Sequence, residues 1–121
     1  MLGAAGLLRG KRASTHWTAH DFLAPFGAIP VKERVVVDGN LFTGGGVTAG
    51  IDVALRVAAE IAGRAAAEAI QLAVEYDPSP PFDAGSPERA PQAVLDAVLT
   101  RGAARQRDRA ERAARAAARL R

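Results

Sequence analysis

The chain has 121 residues, of which 49% are hydrophobic and 24% are charged, and it contains no cysteine. This length limits it to one domain, and the lack of cysteine excludes disulfides, thiolate metal sites and a cysteine nucleophile within these residues. The net charge of +3 is uneven, because residues 1–100 carry 8 basic and 11 acidic side chains whereas residues 101–121 carry 8 arginines and 2 acidic side chains. No apolar segment approaches the roughly 18 residues of a membrane span and no signal peptide is recognisable, so we expect a cytoplasmic protein.

The first 27 residues predict two short helices. The segment Leu2–Leu8 is small and apolar on all sides, as at the end of a buried helix, and Gly10 is placed to end it. Thr18 and Asp21 fit a capping box. They predict a second helix that ends at Gly27 and has an apolar side formed by Phe22, Leu23 and Phe26.

Residues 34–43 have the pattern of a β-hairpin. Val35–Val37 and Leu41–Thr43 are β-type runs separated by Asp38-Gly39-Asn40. An Asp-Gly pair between apolar runs is a strong hairpin signal, because glycine accepts a positive φ without strain. Three glycines, Gly44–Gly46, then connect the hairpin to the next element.

Two helices are predicted after the glycines, with Gly63 between them. The first has an apolar stripe that we expect to face inward, formed by Ile51, Ala54, Leu55, Ala58 and Ile61. On its opposite side, Asp52, Arg56 and Glu60 have the i,i+4 spacing of an ion-pair row. The second helix, over residues 64–75, is expected to turn Ala69, Ile70 and Ala73 inward.

A proline-rich connection over residues 77–87 leads to the last predicted helix. Ser86 and Pro87 are typical of an N-cap and a first helical position. The apolar face that follows consists of Val94, Leu95, Val98 and Leu99. From Gly102 onward the only apolar residues are alanines and Leu120, so we expect residues 101–121 to form a protruding or fraying Ala/Arg-rich helix.

The arginines of this tail raise the question of nucleic-acid binding. Four of them form a basic stripe of the kind that contacts phosphates: Arg101, Arg105, Arg109 and Arg112. Against this interpretation, Asp108 and Glu111 are placed to pair with Arg112 and Arg115, and the tail offers only Gln106 as a base-reading side chain. Nucleic acid is therefore not an expected partner, and neither is a membrane.

The order of elements indicates an incomplete α/β domain. A strand, a glycine turn and a helix in succession typically build a site in an α/β layer fold. Two or three strands, however, cannot form a doubly wound sheet. We therefore expect part of the domain to lie outside these residues.

Several segments of the chain resemble the DJ-1/PfpI family, in its isonitrile hydratase-like branch. The resemblance lies in Leu2–Trp17, in Val35–Asp52 with its run Gly-Val-Thr-Ala-Gly-Ile-Asp, in Glu75–Pro78, and in Pro-Pro-Phe-Asp-Ala-Gly-Ser-Pro at 80–87. It implies a C-terminal portion of a flavodoxin-like (class I glutamine amidotransferase-like) three-layer α/β fold over residues 1–100, here a helix-rich fragment with a β-hairpin. Residues 101–121 are left as a separate Ala/Arg-rich helical tail.

The resemblance also implies a reaction. In this branch a cysteine on a strained strand-to-helix turn is expected to attack the carbon of an isocyanide, after which water releases an N-substituted formamide. It implies a small-molecule substrate and a homodimer, and no cofactor. Because the chain has no cysteine, we expect it to be truncated relative to the family and inactive as written.

Two alternatives come from other classes of protein. The same fold serves as the ligand-sensing or dimerisation domain of AraC-type transcriptional regulators, and a structural remnant is the other alternative. A regulator requires a helix-turn-helix pair after the domain. The Ala/Arg-rich tail offers neither the turn nor the apolar anchors for one.

Three residues are candidates for lining a pocket: His16, Gly45 and Thr48. In the family the Thr-His-Trp segment runs near the nucleophile, so His16 is either a pocket-lining acid/base helper or a histidine satisfied by backbone groups beside Trp17. Gly45 lies in the glycine turn that borders the family's cleft, and Thr48 either lines that cleft or caps the following helix. The alternative for these glycines is a purely structural role, in which they allow close packing of strand against helix.

The remaining polar residues carry weaker signals. Asp52 is better interpreted as a member of an ion pair on the face of its helix than as a catalytic carboxylate. Glu75 and Asp77 are interpreted as structural residues at the start of the linker. His20 is expected at the surface. Two histidines without a nearby acidic pair give no metal-ligand pattern, so no metal site is expected.

Overall fold

A computed structural model describes residues 1–120 as a helix-rich α/β arrangement. The strands are β1 (Arg12–Ala13), β2 (Ile29–Pro30), β3 (Val35–Asp38) and β4 (Leu41–Gly44). The α-helices are α1 (Ala49–Ala62), α2 (Arg64–Ala73) and α3 (Gln92–Ala118), and two 3-10 helices span Trp17–Phe22 and Ala24–Phe26. None of the helices within residues 1–120 combines the length and the apolar character needed to cross a membrane.

The first ten residues form consecutive turns, so the predicted helix over Leu2–Leu8 is wrong. The turns are closed by bonds such as that from the Leu7 N–H to the Leu2 carbonyl at 3.1 Å. Gly6 takes a φ of 76°, which interrupts any regular helix in the middle of the segment. Leu8 is nevertheless buried, and it joins Ala13, Leu23 and Ala28 in a small core cluster against which Leu41 packs.

The helix predicted after Thr18 begins earlier and is a 3-10 helix. It starts at Trp17, and its N-cap is His16, whose side chain accepts a hydrogen bond from the Thr18 N–H. The predicted capping box of Thr18 and Asp21 is therefore wrong. The predicted end at Gly27 is confirmed, because Gly27 adopts the left-handed conformation after the second 3-10 helix.

The β-hairpin is confirmed, with Gly39 and Asn40 as its two-residue turn. Val36 pairs with Thr43 and Asp38 pairs with Leu41, and Gly39 takes the positive φ of 62° that such a turn requires. The Asp38 carboxylate accepts bonds from the Arg12 N–H at 2.8 Å and from Lys11 Nζ at 3.2 Å. The end of the hairpin is thereby attached to β1, which itself pairs in parallel with β2.

Helix α1 packs on the hairpin with a different face from the one predicted. Ala49 is 1% exposed, and the Val53 side chain lies so close to Gly44 that a Cβ there would be 2.6 Å from Val53 Cγ2. Most of the predicted inward stripe instead lines an open apolar groove of about 670 Å³ beside α2, through Ile51, Ala54, Leu55 and Ala58. Helix α1 is thus apolar on two sides, which the single-stripe prediction missed.

The inward face predicted for α2 is also wrong. Ala67 is the buried residue of this helix, whereas Ala69, Ile70 and Ala73 are exposed. Gly63 separates α1 from α2, as predicted, with a φ of 87° and a ψ of 159°.

Helix α3 begins later and packs more closely than expected. It starts at Gln92 after Pro91, and the predicted start at Ser86 is a turn in which the Ala90 N–H bonds to the Ser86 carbonyl at 2.9 Å. The tail does not protrude, because Ala117 is 7% exposed and Arg9 Nη2 donates to the Leu120 carbonyl at 2.6 Å. Alanine side chains are short enough for such close packing, which a pattern of large apolar residues cannot reveal.

Candidate functional site around His16

His16 lies at the start of the first 3-10 helix, with its imidazole ring stacked on Trp17 at a centroid distance of 5.7 Å. The backbone N–H of Thr18 donates to His16 Nδ1 at 3.2 Å, and Thr18 Oγ1 lies 2.9 Å from the same nitrogen. A backbone amide can only donate, so Nδ1 is the acceptor and the proton of the neutral ring is on Nε2. The local turn therefore holds His16 as a hydrogen-bond donor through Nε2.

Helix α3 contacts this turn from the other side. Gln106 Nε2 donates to the Thr18 carbonyl, and Arg109 Nη1 donates to Thr18 Oγ1 at 3.4 Å and to Gln106 Oε1 at 3.3 Å. The Arg109 guanidinium also lies over the Phe22 ring, 5.7 Å from its centroid. The arginine stripe considered for phosphate binding thus contributes one of its members to an intramolecular contact.

A cavity of about 850 Å³ lies between this turn and α3. Its lining combines polar groups with an apolar floor and includes His16, Thr18, Val98, Leu99, Gln106 and Arg109. A concave site with a few convergent polar groups is the usual form of a small-molecule pocket.

The glycine turn after β4 approaches the same region. A Cβ on Gly46 would lie 3.9 Å from His16 Cδ2, and one on Gly45 would lie 3.3 Å from the Glu33 carbonyl oxygen and 3.6 Å from Ser14 Oγ. Gly45 lines a second cavity of about 490 Å³, together with Ser14 and Trp17. The small glycine residues let the turn pass close to the segment that carries His16.

Thr48 and Asp52 belong to a separate polar cluster centred on Arg34. Arg34 Nε donates to Asp52 Oδ2 at 2.6 Å, and Arg34 Nη2 donates to Thr48 Oγ1 at 3.4 Å. Tyr76 Oη donates to the Asp52 carboxylate at 3.2 Å. The side chains of Tyr76 and Asp52 hold the pKa of Arg34 above its usual value.

This cluster corrects two predictions. Asp52 is in an ion pair, as expected, but its partner is Arg34, just before β3, and not Arg56 on its own helix. Thr48 makes no side-chain capping bond to α1. Thr48 lines neither of the two cavities near His16.

Two further predictions concern the ion pairs of α3 and the position of His20. The pairs Asp108–Arg112 and Glu111–Arg115 are confirmed at 2.9 Å and 3.9 Å. His20 is half-buried, contrary to expectation, and its Nε2 is buried without a hydrogen-bond partner within residues 1–120. In that part of the chain, no group of three or more histidine, cysteine, aspartate and glutamate side chains could hold a metal ion.

Several polar residues near His16 were not identified as site residues from the sequence. Ser14 is 5% exposed, and it donates through Oγ to the Glu33 carbonyl at 2.6 Å and through its N–H to Thr43 Oγ1 at 3.0 Å. Gln106 and Arg109 are 88 and 91 residues from Thr18 along the chain. A single sequence has no local signal for such distant contacts, although Gln106 is the one amide side chain in the arginine-rich tail.

Comparison with known proteins relates the chain to one family. The sequence profile of the DJ-1/PfpI family matches residues 1–60. An isonitrile hydratase of Pseudomonas putida is 60% identical over 120 residues, which are 99% of this chain and 53% of that protein. The crystal structure of a THiJ/PfpI family protein from Pseudomonas syringae aligns with a TM-score of 0.86 and 48% identity over 96% of this chain and 46% of the other.

These comparisons bear on two expectations. The structural match supports the predicted fold class, a helix-rich part of a flavodoxin-like α/β fold. The match to the Pseudomonas putida protein extends through the Ala/Arg-rich tail, which the sequence alone did not relate to any family. The chain spans about half the length of these relatives. It belongs to the DJ-1/PfpI family.

Proposed function

We propose that the chain is the C-terminal portion of an isonitrile hydratase-type domain and supplies the side of the active site that carries His16 and the neighbouring glycine turn with Gly45, whereas Thr48 lies outside that site. The observation that carries this proposal is the cavity beside His16 in a chain that is 60% identical to an isonitrile hydratase. The overall reaction adds one water molecule to R–N≡C and gives R–NH–CHO.

The residues of this chain would bind and orient the substrate in that reaction. The apolar floor formed by Val98 and Leu99 suits the organic group of an isocyanide. His16 lines this cavity, and its Nε2–H would donate a hydrogen bond to charge that develops on the bound substrate. The cysteine thiolate must come from outside residues 1–121, because these residues contain no cysteine. Residues 1–121 on their own should therefore be inactive.

A chimera tests this proposal. The segment of the Pseudomonas putida isonitrile hydratase that aligns with this chain is replaced by residues 1–121, and formamide formation from cyclohexyl isocyanide is measured. The chimera should be active because the exchanged segments are 60% identical. A chimera that folds with the circular dichroism spectrum of the parent but gives no formamide would contradict the proposal.

The regulator alternative has less support. Helix α3 runs without interruption over 27 residues, and a helix-turn-helix pair would require a turn between two helices. A homodimer, a cytoplasmic location and a lack of nucleic-acid binding stay predictions, and a structural remnant stays an alternative. The division into residues 1–100 and 101–121 also stays a prediction, although α3 crosses that boundary.

A further inference from the structure

We propose that Gln106 and Arg109 of α3 are positioning residues that act through Thr18 to keep neutral His16 in the tautomer protonated on Nε2. In the sequence, His16 is a candidate for lining a pocket, whereas Arg109 and Gln106 are considered only for nucleic-acid binding. The tautomer follows from contacts within this chain, whereas its use in binding a substrate rests on the proposed function.

Two groups of Thr18 surround His16 Nδ1. It accepts from the Thr18 N–H at 3.2 Å and lies 2.9 Å from Thr18 Oγ1. The bond from the backbone N–H favours the Nε2–H tautomer. A hydroxyl group can either donate to or accept from imidazole, so the Thr18 hydroxyl either reinforces this preference or opposes it. The direction of the Thr18 O–H therefore matters.

Arg109 directs the Thr18 hydroxyl. Arg109 Nη1 lies 3.4 Å from Thr18 Oγ1, and a guanidinium group can only donate. A donor on the oxygen favours the orientation in which the hydroxyl proton points away from the arginine and toward His16 Nδ1. Both donors at Nδ1 then stabilise the Nε2–H tautomer over the Nδ1–H tautomer.

Gln106 and Phe22 hold Arg109 and Thr18 in place. Gln106 bridges them, since its Nε2 donates to the Thr18 carbonyl and its Oε1 accepts from Arg109 Nη1 at 3.3 Å. The Arg109 guanidinium also lies over the Phe22 ring, with its Cζ 5.7 Å from the ring centroid. Helix α3, although far away in sequence, thereby becomes part of the site around His16.

The consequence is a fixed hydrogen-bond donor on a residue that lines the cavity. With Nδ1 occupied from within the protein, Nε2–H is the ring group of His16 left for a ligand. A ligand that matches it has a hydrogen-bond acceptor next to an apolar group, because Val98 and Leu99 line the same cavity. The carbonyl of an N-substituted formamide is one such acceptor.

Nitrogen NMR of the histidine rings tests the tautomer directly. Residues 1–121 are labelled with nitrogen-15 histidine and studied at alkaline pH, in the range in which the ring nitrogen shifts no longer change with pH. His20→Asn assigns the two rings. We expect His16 to show a protonated Nε2 and an unprotonated Nδ1; a protonated Nδ1 would overturn the proposal.

Substitutions on α3 test the positioning role. Gln106→Glu removes the amide donor with little change in shape, and Arg109→Gln removes the guanidinium. Each should shift the His16 ring nitrogens toward the values of the Nδ1–H tautomer. Arg112→Gln is the matched control, since Arg112 pairs with Asp108 on the same helix, and it should leave the His16 spectrum unchanged.

The outcomes separate this inference from the proposed function. If both Gln106→Glu and Arg109→Gln keep the wild-type circular dichroism and leave the His16 nitrogens unchanged, the positioning role is wrong. Should Arg109→Gln unfold the chain, the Gln106→Glu result decides alone. Because the NMR measurement needs no substrate, an inactive chimera would contradict the proposed function without affecting the tautomer.

Discussion

At the scale of single residues, Asp38 shows how one carboxylate joins two elements. Its bond from the Arg12 N–H, followed by that from Lys11, holds the pKa of Asp38 below its ordinary value of 3.8. A carboxyl whose folded pKa is lowered stabilises the fold above its unfolded pKa, and this stabilisation is lost as the pH falls through the folded value.

The predicted consequence is an acid-sensitive contact. Below pH 3.8, the urea midpoint of unfolding should fall more steeply for the wild type than for Asp38→Asn, which cannot titrate at this position. Asp83→Asn is the control, because Asp83 pairs with Arg89 at the exposed linker. Identical acid profiles for the wild type and Asp38→Asn would show that Asp38 does not stabilise the folded state.

Gly44 shows a different residue-scale constraint, the close approach of the hairpin to α1. Gly44→Ala would place a Cβ 2.6 Å from Val53 Cγ2, and such overpacking typically costs about 1–3 kcal/mol. Gly50→Ala is the matched control, because no atom lies within 4 Å of a Cβ there. Urea unfolding should show a loss of stability for Gly44→Ala but not for Gly50→Ala; equal stabilities would contradict the observed packing.

Among the candidate residues, the sequence identified His16 and the glycine turn but not their partners. The contact between the Gly46 turn and His16 arises because β1 and the hairpin are joined through Asp38 and through the bond between Ser14 and Thr43. These bonds join residues 26 and 29 positions apart. Local patterns predict which side chains suit a site, whereas tertiary packing decides which ones meet.

At the scale of elements, local signals succeeded where a turn requires a particular backbone. The hairpin turn at Gly39, the end at Gly27 and the break at Gly63 all follow from glycine at positive φ. The predictions of which helix face is buried were wrong for α1 and α2. Both helices present apolar residues on more than one side, so periodicity alone could not choose between their faces.

Gly63 provides the element-scale prediction. Its φ of 87° and ψ of 159° lie in a region that is essentially restricted to glycine. Gly63→Ala should therefore destabilise the chain by about 1–3 kcal/mol, even though no atom lies within 4 Å of a Cβ there. Gly102→Ala, within α3, should be neutral or stabilise by up to about 1 kcal/mol. Thermal unfolding that ranks the two variants in the opposite order would contradict this backbone assignment.

At the scale of the whole molecule, the chain leaves much apolar surface exposed. Ile51 is 44% exposed and Ile70 is 46% exposed, and both line the groove between α1 and α2. A contiguous apolar surface of this kind usually marks a place where another part of a protein packs. That agrees with the proposal that these residues form only one portion of a domain.

A hydrophobic dye reports on this groove. The wild-type chain should increase the fluorescence of the dye, and the double variant Ile51→Ser/Ile70→Ser should lose most of that increase. Val47→Ser/Leu72→Ser is the control, because Val47 and Leu72 are 91% and 82% exposed but do not line the groove. If both double variants reduced the fluorescence equally, the groove would not be the binding surface.

In the proposed function, residues 1–121 supply one side of an isonitrile hydratase-type site but not its nucleophile. Formamide formation from cyclohexyl isocyanide is measured for purified residues 1–121 and, under the same conditions, for the chimera. We expect no turnover above buffer for residues 1–121 and turnover for the chimera. Formamide formation by residues 1–121 alone would contradict the proposed function, because a chain without cysteine would then carry out the reaction.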